Sequence, residues 1–176
     1  MGQAAEKLDP RIYVACLAAY NSGLLHGAWI AVDDDADDVR ASIAAMLKAS
    51  PVVGAEEYAI HDYEDFGGVE IGEYVGVDRV VAIGAFVRQR GVLGALVLEH
   101  LGGDVEAAVA ALDDQYRGVF ERLADCFEEL TEETVEVPEA LRCYIDYEAM
   151  GRDAVLNGDV FTIETAHDEV HVFWSR

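Results

Sequence analysis

Acidic residues run through the whole of this chain, yet they sit among enough apolar residues to build a core. The 176 residues carry 35 Asp and Glu against 12 Lys and Arg, a formal charge of −23, while 52% of the chain is hydrophobic. A disordered acidic segment would lack that apolar content. The acids are therefore expected on the surface of something folded. Charge of one sign over most of a surface repels itself and costs stability. Three functions offset such a cost: solubility at high salt, capture of cations or a basic partner, and imitation of a polyanion such as DNA.

The same charge argues against other classes. Ordinary nucleic-acid binding needs Lys and Arg to neutralise phosphates, and anionic lipid would repel this chain. No nucleic acid and no membrane are expected as partners. The apolar runs Val80–Val87 and Gly91–Leu98 are interrupted by Arg88 and Arg90. Each is far short of the roughly 20 residues that span a bilayer. No signal peptide is read at the start. Cys16, Cys126 and Cys143 are odd in number and lack CxxC spacing, so a reduced, cytoplasmic protein is expected. The basic residues are ten Arg and only Lys7 and Lys48, a balance that salt adaptation would also produce.

The periodicities predict a mixed chain. Arg11–Ala18 reads as a strand with Ile12, Val14 and Cys16 on one face, followed by a turn over Tyr20–Gly27 and a strand over Ala28–Val32. Asp33–Asp38 opens a helix whose apolar face is Val39, Ile43, Met46 and Leu47. Glu56–Tyr63 reads as a third strand, alternating Tyr58, Ile60 and Asp62 against the other face. Two helices follow, Val77–Gln89 and Val92–Leu101, with Gly91 as a breaker between them. Val105–Leu112, Val119–Leu130 and Glu139–Leu156 read as helices, the last broken near Gly151. Val160–Thr165 and Val170–Trp174 read as a hairpin. Antiparallel strands at both ends with helices between give an α+β fold. Composition breaks near 61 and 103 suggest segments 1–61, 62–103 and 104–176.

Catalytic patterns are weak. His167 and His171 are four apart, but Asp168 stands where HExxH needs Glu, and a strand turn does not bring such a pair to one helix face. Asp33, Asp35 and Asp37 have the first spacings of a calcium loop, but Asp38 replaces the required Gly and Ala44 the bidentate Glu. No nucleophile elbow or phosphate-binding glycine loop is present. No catalytic residue, cofactor or metal is expected.

The acids themselves are the candidate site. Asp33, Asp34, Asp35, Asp37 and Asp38 form one stretch. Glu56, Glu57, Asp62, Glu64, Asp65, Glu70 and Glu73 form a second, without Lys or Arg. Asp113 and Asp114 follow, then Glu121, Asp125, Glu128, Glu129, Glu132, Glu133 and Glu136, opposed within that stretch by Arg122 alone. Carboxylates one helical turn apart are ~5.4 Å from each other, and alternate strand residues ~6.6 Å. One DNA strand carries a phosphate every ~3.4 Å, so two or three staggered rows of acids approach its charge density. At ~1.7 Å per charge, the net charge matches ~39 Å of duplex, and a dimer matches ~78 Å. Tyr58, Tyr63 and Phe66, and later Tyr144 and Tyr147, lie among these acids. They are either core aromatics or contacts for a partner's Arg side chains.

Long blocks also resemble ArdA-type antirestriction proteins. They are Ile12–Gly23 (IYVACLAAYNSG), Leu25–Ile30 (LHGAWI), Glu56–Glu64 (EEYAIHDYE), Pro138–Met150 (PEALRCYIDYEAM), Asn157–Glu164 (NGDVFTIE) and Val170–Trp174 (VHVFW). The similarity covers about Pro10 to Arg176, with Val69–Leu112 least distinctive. This resemblance implies a protein of mobile genetic elements that imitates bent B-form DNA and fills the DNA groove of type I restriction–modification enzymes. It implies an elongated molecule of three small domains that forms a homodimer through the C-terminal one. It also places an acidic antirestriction motif at about Leu123–Glu136. Within the blocks, Tyr13, Trp29 and Trp174 are expected in the core or an interface. Two other readings stay open: a salt-adapted acidic domain without DNA mimicry, and a carboxylate- or metal-dependent enzyme.

Overall fold

Ile12, Val14 and Cys16 do alternate into a buried strand face, and they anchor the first of two small sheets. The computed structural model describes residues 8–175. The chain divides into two units, Met1–Val105 and Glu106–Arg176. Their α+β character follows from two three-stranded antiparallel sheets, one in each unit, with a long helix between them in sequence.

In the first unit, β1 (Arg11–Cys16) is the central strand, flanked by β2 (Gly27–Ala31) and β3 (Tyr58–Glu64). The strand expected to reach Ala18 ends at Cys16, and α1 (Leu17–Asn21) takes over the start of the expected turn. The alternation expected in β3 also breaks. Val14 pairs with Ile60 and Tyr13 with Asp62, so His61 is the extra residue of a bulge. The bulge moves Asp62 off the core face of Ile60. Tyr63 takes that face opposite Ile12, while Asp62 and Glu64 lie exposed opposite Tyr13 and Arg11.

One helix covers the inner face of the sheet, and a second packs against the first. In α2 (Ala36–Lys48), the Asp35 carboxylate accepts the Asp37 N–H at 2.8 Å, and Val39, Ile43 and Met46 are buried. This is N-capping by an acid from the expected stretch. The two predicted apolar helices run on as α3 (Val77–His100), with Gly91 at φ 65° and ψ −158° breaking the helical path between them. By length and composition α3 could cross a membrane, but half of its apolar window is buried in the protein. Val80, Phe86, Val87, Val97 and Leu98 form much of the unit's core. At Gly84 a Cβ would come within 2.7 Å of Val32, so the glycine permits this close approach.

In the second unit, α4 (Val105–Ala110) continues into a π-helical turn, Ala111–Gln115. The helix expected over Val119–Leu130 is wrong at its start. Tyr116–Phe120 is a strand, β4, paired with the last strand of the chain. Val119 falls on a helical spacing with Leu123, but it is half exposed in β4 and belongs to no helix face. The helix begins at Leu123 because the Asp125 carboxylate accepts the Arg122 N–H at 3.0 Å. It runs as α5 (Leu123–Thr134) and buries Ala124, Cys126 and Phe127.

The expected Glu139–Leu156 helix is also two pieces, α6 (Glu139–Arg142) and α7 (Tyr147–Leu156). The break is at Cys143–Asp146 and not at Gly151. Asp146 caps α7 by accepting the Ala149 N–H at 2.9 Å. Gly151 is buried inside α7, where a Cβ would meet Leu123 at 2.9 Å, so it lets α5 and α7 pack closely. The hairpin forms as expected, β5 (Val160–Ala166) and β6 (Glu169–Trp174), giving the order β4-β6-β5. Val160 and Val172 pack with Cys126, Phe127 and Ala154, and Trp174 and Tyr147 close over that cluster.

Candidate functional site

No charged or polar residue is buried among the described residues. Asp33, Asp34, Asp35, Asp37 and Asp38 are exposed where β2 leads into α2. Glu56 and Glu57 are exposed just before β3, Asp62 and Glu64 along it, and Asp65, Glu70 and Glu73 between β3 and α3. Asp113 and Asp114 are exposed on the π-helical turn. Glu121, Glu128, Glu129, Glu132, Glu133 and Glu136 are exposed on α5 and its flanks, and only Asp125 is half-buried. These elements fold with apolar residues on one side, which leaves the acids on the other.

The structure then divides the acids in a way that their spacing did not. Arg11 pairs with Glu64, and Arg88 with Asp34. Arg40 binds Asp37 at 2.8 Å and Asp78 at 2.6 Å. Arg122 binds Asp125 at 2.6 Å, with Glu148 at 3.5 Å. Arg142 binds Glu132 at 3.0 Å and Glu139 at 3.3 Å, and Arg117 binds Glu129 and Glu133, both at 2.8 Å. The stretch around α5 therefore meets three arginines, not Arg122 alone. Among the described residues, Asp33, Asp38, Glu56, Glu57, Asp65, Glu70, Asp114, Glu121, Glu128 and Glu136 have no ion-pair partner. The local pairs, such as Asp37 with Arg40, follow from residues three apart on a helix. The long-range pairs left no such signal.

The aromatics also separate. Phe66 is buried and meets the Tyr63 ring edge-on, with centroids 5.9 Å apart. Those two belong to the fold. Tyr144 is 80% exposed. It lines an open hollow of about 360 Å³ with Glu128, Asp146, Tyr147 and Glu148, and Arg122 stands at the same hollow. Trp29 is not in the core of its unit: it lies partly exposed against Tyr13, and the Arg11 guanidinium sits 5.1 Å from its ring.

His167 lies at the β5–β6 turn, 2.6 Å from Asp168, while His171 is held elsewhere. Its Nδ1 is 2.7 Å from the Tyr116 hydroxyl and its Nε2 is 3.0 Å from Thr165 Oγ1. Thr165 donates its proton to Glu169 at 2.9 Å. Thr165 must therefore accept from His171, so Nε2 carries the imidazole proton and Nδ1 accepts from Tyr116. Burial lowers the His171 pKa, against the opposing pull of Glu169. The unfolded state then binds the extra proton first. His171 contributes stability that is complete above about pH 6.5 and is lost as pH falls towards its folded value. In an NMR titration, His171 should protonate below the ordinary imidazole value of about 6.5. A His171 midpoint at or above about 6.5 would contradict this assignment.

The family model for the ArdA antirestriction proteins matches residues 12–169. The chain belongs to that family. No match was found among curated proteins. For an ArdA-family chain, restriction enzymes are the class of partner. The matched residues run from Ile12 in β1 to Glu169 at the start of β6 and include every acid named above.

Proposed function

We propose that this ArdA-family protein inhibits type I restriction–modification enzymes by presenting its acids in place of DNA phosphates. It acts in the cytoplasm without catalysis, metal or cofactor, and it blocks the groove that duplex DNA would fill. The observation that carries this reading is the exposure of every candidate acid but Asp125, together with the set that has no ion-pair partner among the described residues. Unpaired carboxylates are free to meet Arg and Lys of a basic groove, and each contact formed releases counterions. The segments 1–61, 62–103 and 104–176 act as consecutive parts of this surface, and two copies pair through the last.

The test is cleavage of unmodified DNA by a purified type I enzyme with increasing amounts of the protein. Inhibition is expected near stoichiometric amounts at low salt, overcome by excess DNA or by raised salt. Undiminished cleavage at low salt would contradict the proposal. Inhibition that excess DNA cannot relieve would point to action outside the DNA groove.

A further inference from the structure

Arg117 stands at a bulge. Tyr116 pairs with Phe173 and Gly118 with Val172, so Arg117 is the unmatched residue between them. Gly118 takes φ 144°, a conformation that favours glycine, and completes the local bend. Bulges on edge strands re-aim side chains. Here the guanidinium leaves the edge strand β4 and reaches α5. Its Nη2 binds Glu129 Oε1 and Glu133 Oε2, both at 2.8 Å. The two glutamates are one helical turn apart, which lets a single guanidinium hold both.

This clamp differs from the neighbouring pairs in its burial. The Arg117 side chain is only 22% exposed, against 50% for Arg142 and 63% for Arg122. Pairs between exposed side chains are screened by salt and contribute little, so they open easily. Arg117 lies closer to the core, near the buried Cys126. Pulling Glu129 or Glu133 away would break a charge-assisted hydrogen bond and leave a partly buried cation short of partners. Glu128, one residue earlier on α5, has no such tie, and neither does Glu136; Glu121 interacts electrostatically with the adjacent Arg122 but forms no ion pair with it.

We propose that Arg117 offsets one of the two charges of Glu129 and Glu133 and holds both carboxylates against β4, so that Glu121, Glu128 and Glu136 carry most of the recognition around α5 while Glu129 and Glu133 hold β4 to the helix. The inference rests on the reading that these acids face a basic groove. It assigns unequal roles to acids that the sequence presents as equivalent.

Four full-length variants test it: Glu121→Gln with Glu128→Gln, Glu129→Gln with Glu133→Gln, Arg117→Gln alone, and Arg117→Gln combined with Glu129→Gln and Glu133→Gln. Each is melted alone and titrated against a purified type I methyltransferase core over a range of salt. Each phosphate contact of B-DNA contributes roughly 0.9 to the slope of log affinity against log salt, an upper bound for these more widely spaced carboxylates. The first pair should lower that slope by up to about 1.8 with little change in melting temperature. The second pair should lower the slope by less than the first pair does and melt several degrees lower. Arg117→Gln should also melt lower, and adding Glu129→Gln and Glu133→Gln to it should recover part of the loss, because the two unpaired carboxylates are then gone. Equal slope losses from both pairs, with equal melting temperatures, would overturn the inference alone. Failure of the parent protein to bind the core at low salt would overturn the functional reading, and the division of roles would fall with it.

Discussion

Replacing Phe173 with alanine is expected to unfold the second unit or bring it close to unfolding. Phe173 is fully buried near the end of β6, the central strand of its sheet, and its ring stacks on Phe161 with centroids 4.8 Å apart. Truncating a buried Phe costs about 3–5 kcal/mol, from lost burial and from the cavity left behind. A unit of this size is stabilised by roughly 4–11 kcal/mol. The melting transition of the second unit should fall by at least about 12 °C. Glu128 and the other acids around α5 would lose their fixed positions, and any inhibition that depends on them would weaken. A fall of less than about 4 °C would mean that Phe173 does not occupy this core.

The second large effect concerns charge and leaves the fold intact. Neutralising Glu56, Glu57, Asp65 and Glu70 together, by Gln or Asn, removes four exposed carboxylates with no ion-pair partner among the described residues. Asn suits position 65, where Asp65 already takes φ 61°. If all four meet basic groups of the partner, the salt slope of binding should fall, by up to about 3.6 at the coefficient of B-DNA phosphates. Melting should change little, or rise slightly as self-repulsion is relieved. A single change such as Asp62→Asn should cost little, because the interaction is spread over many groups. Loss of all binding on one such neutralisation, in a folded protein, would contradict a distributed surface.

Much of this fold is legible in the sequence because single elements carry complete local signals. The β1 alternation, the Asp35 cap, the Gly91 break and the final hairpin each need only a few adjacent residues. The failures come where a distant partner decides. Tyr116–Phe120 is a strand because β6 pairs with it, and nothing near Val119 announces β6. The bulge at His61 reverses the face of Asp62 through its pairing with β1. The candidate surface divides in the same way. Exposure of the acids follows from composition, since buried carboxylates are costly. Which acids are already neutralised depends on Arg11, Arg88, Arg117 and Arg142, each reaching across the fold. Spacing along the chain does not encode those contacts.

The most direct test of DNA mimicry is displacement. The protein is set against cognate duplex for a purified type I methyltransferase core at two salt concentrations, with a folded acidic protein of unrelated sequence as control. The account predicts that this protein releases the duplex at low salt, that the release weakens steeply as salt rises, and that the control releases none. Retention of the duplex at low salt, or equal release by the control, would contradict it.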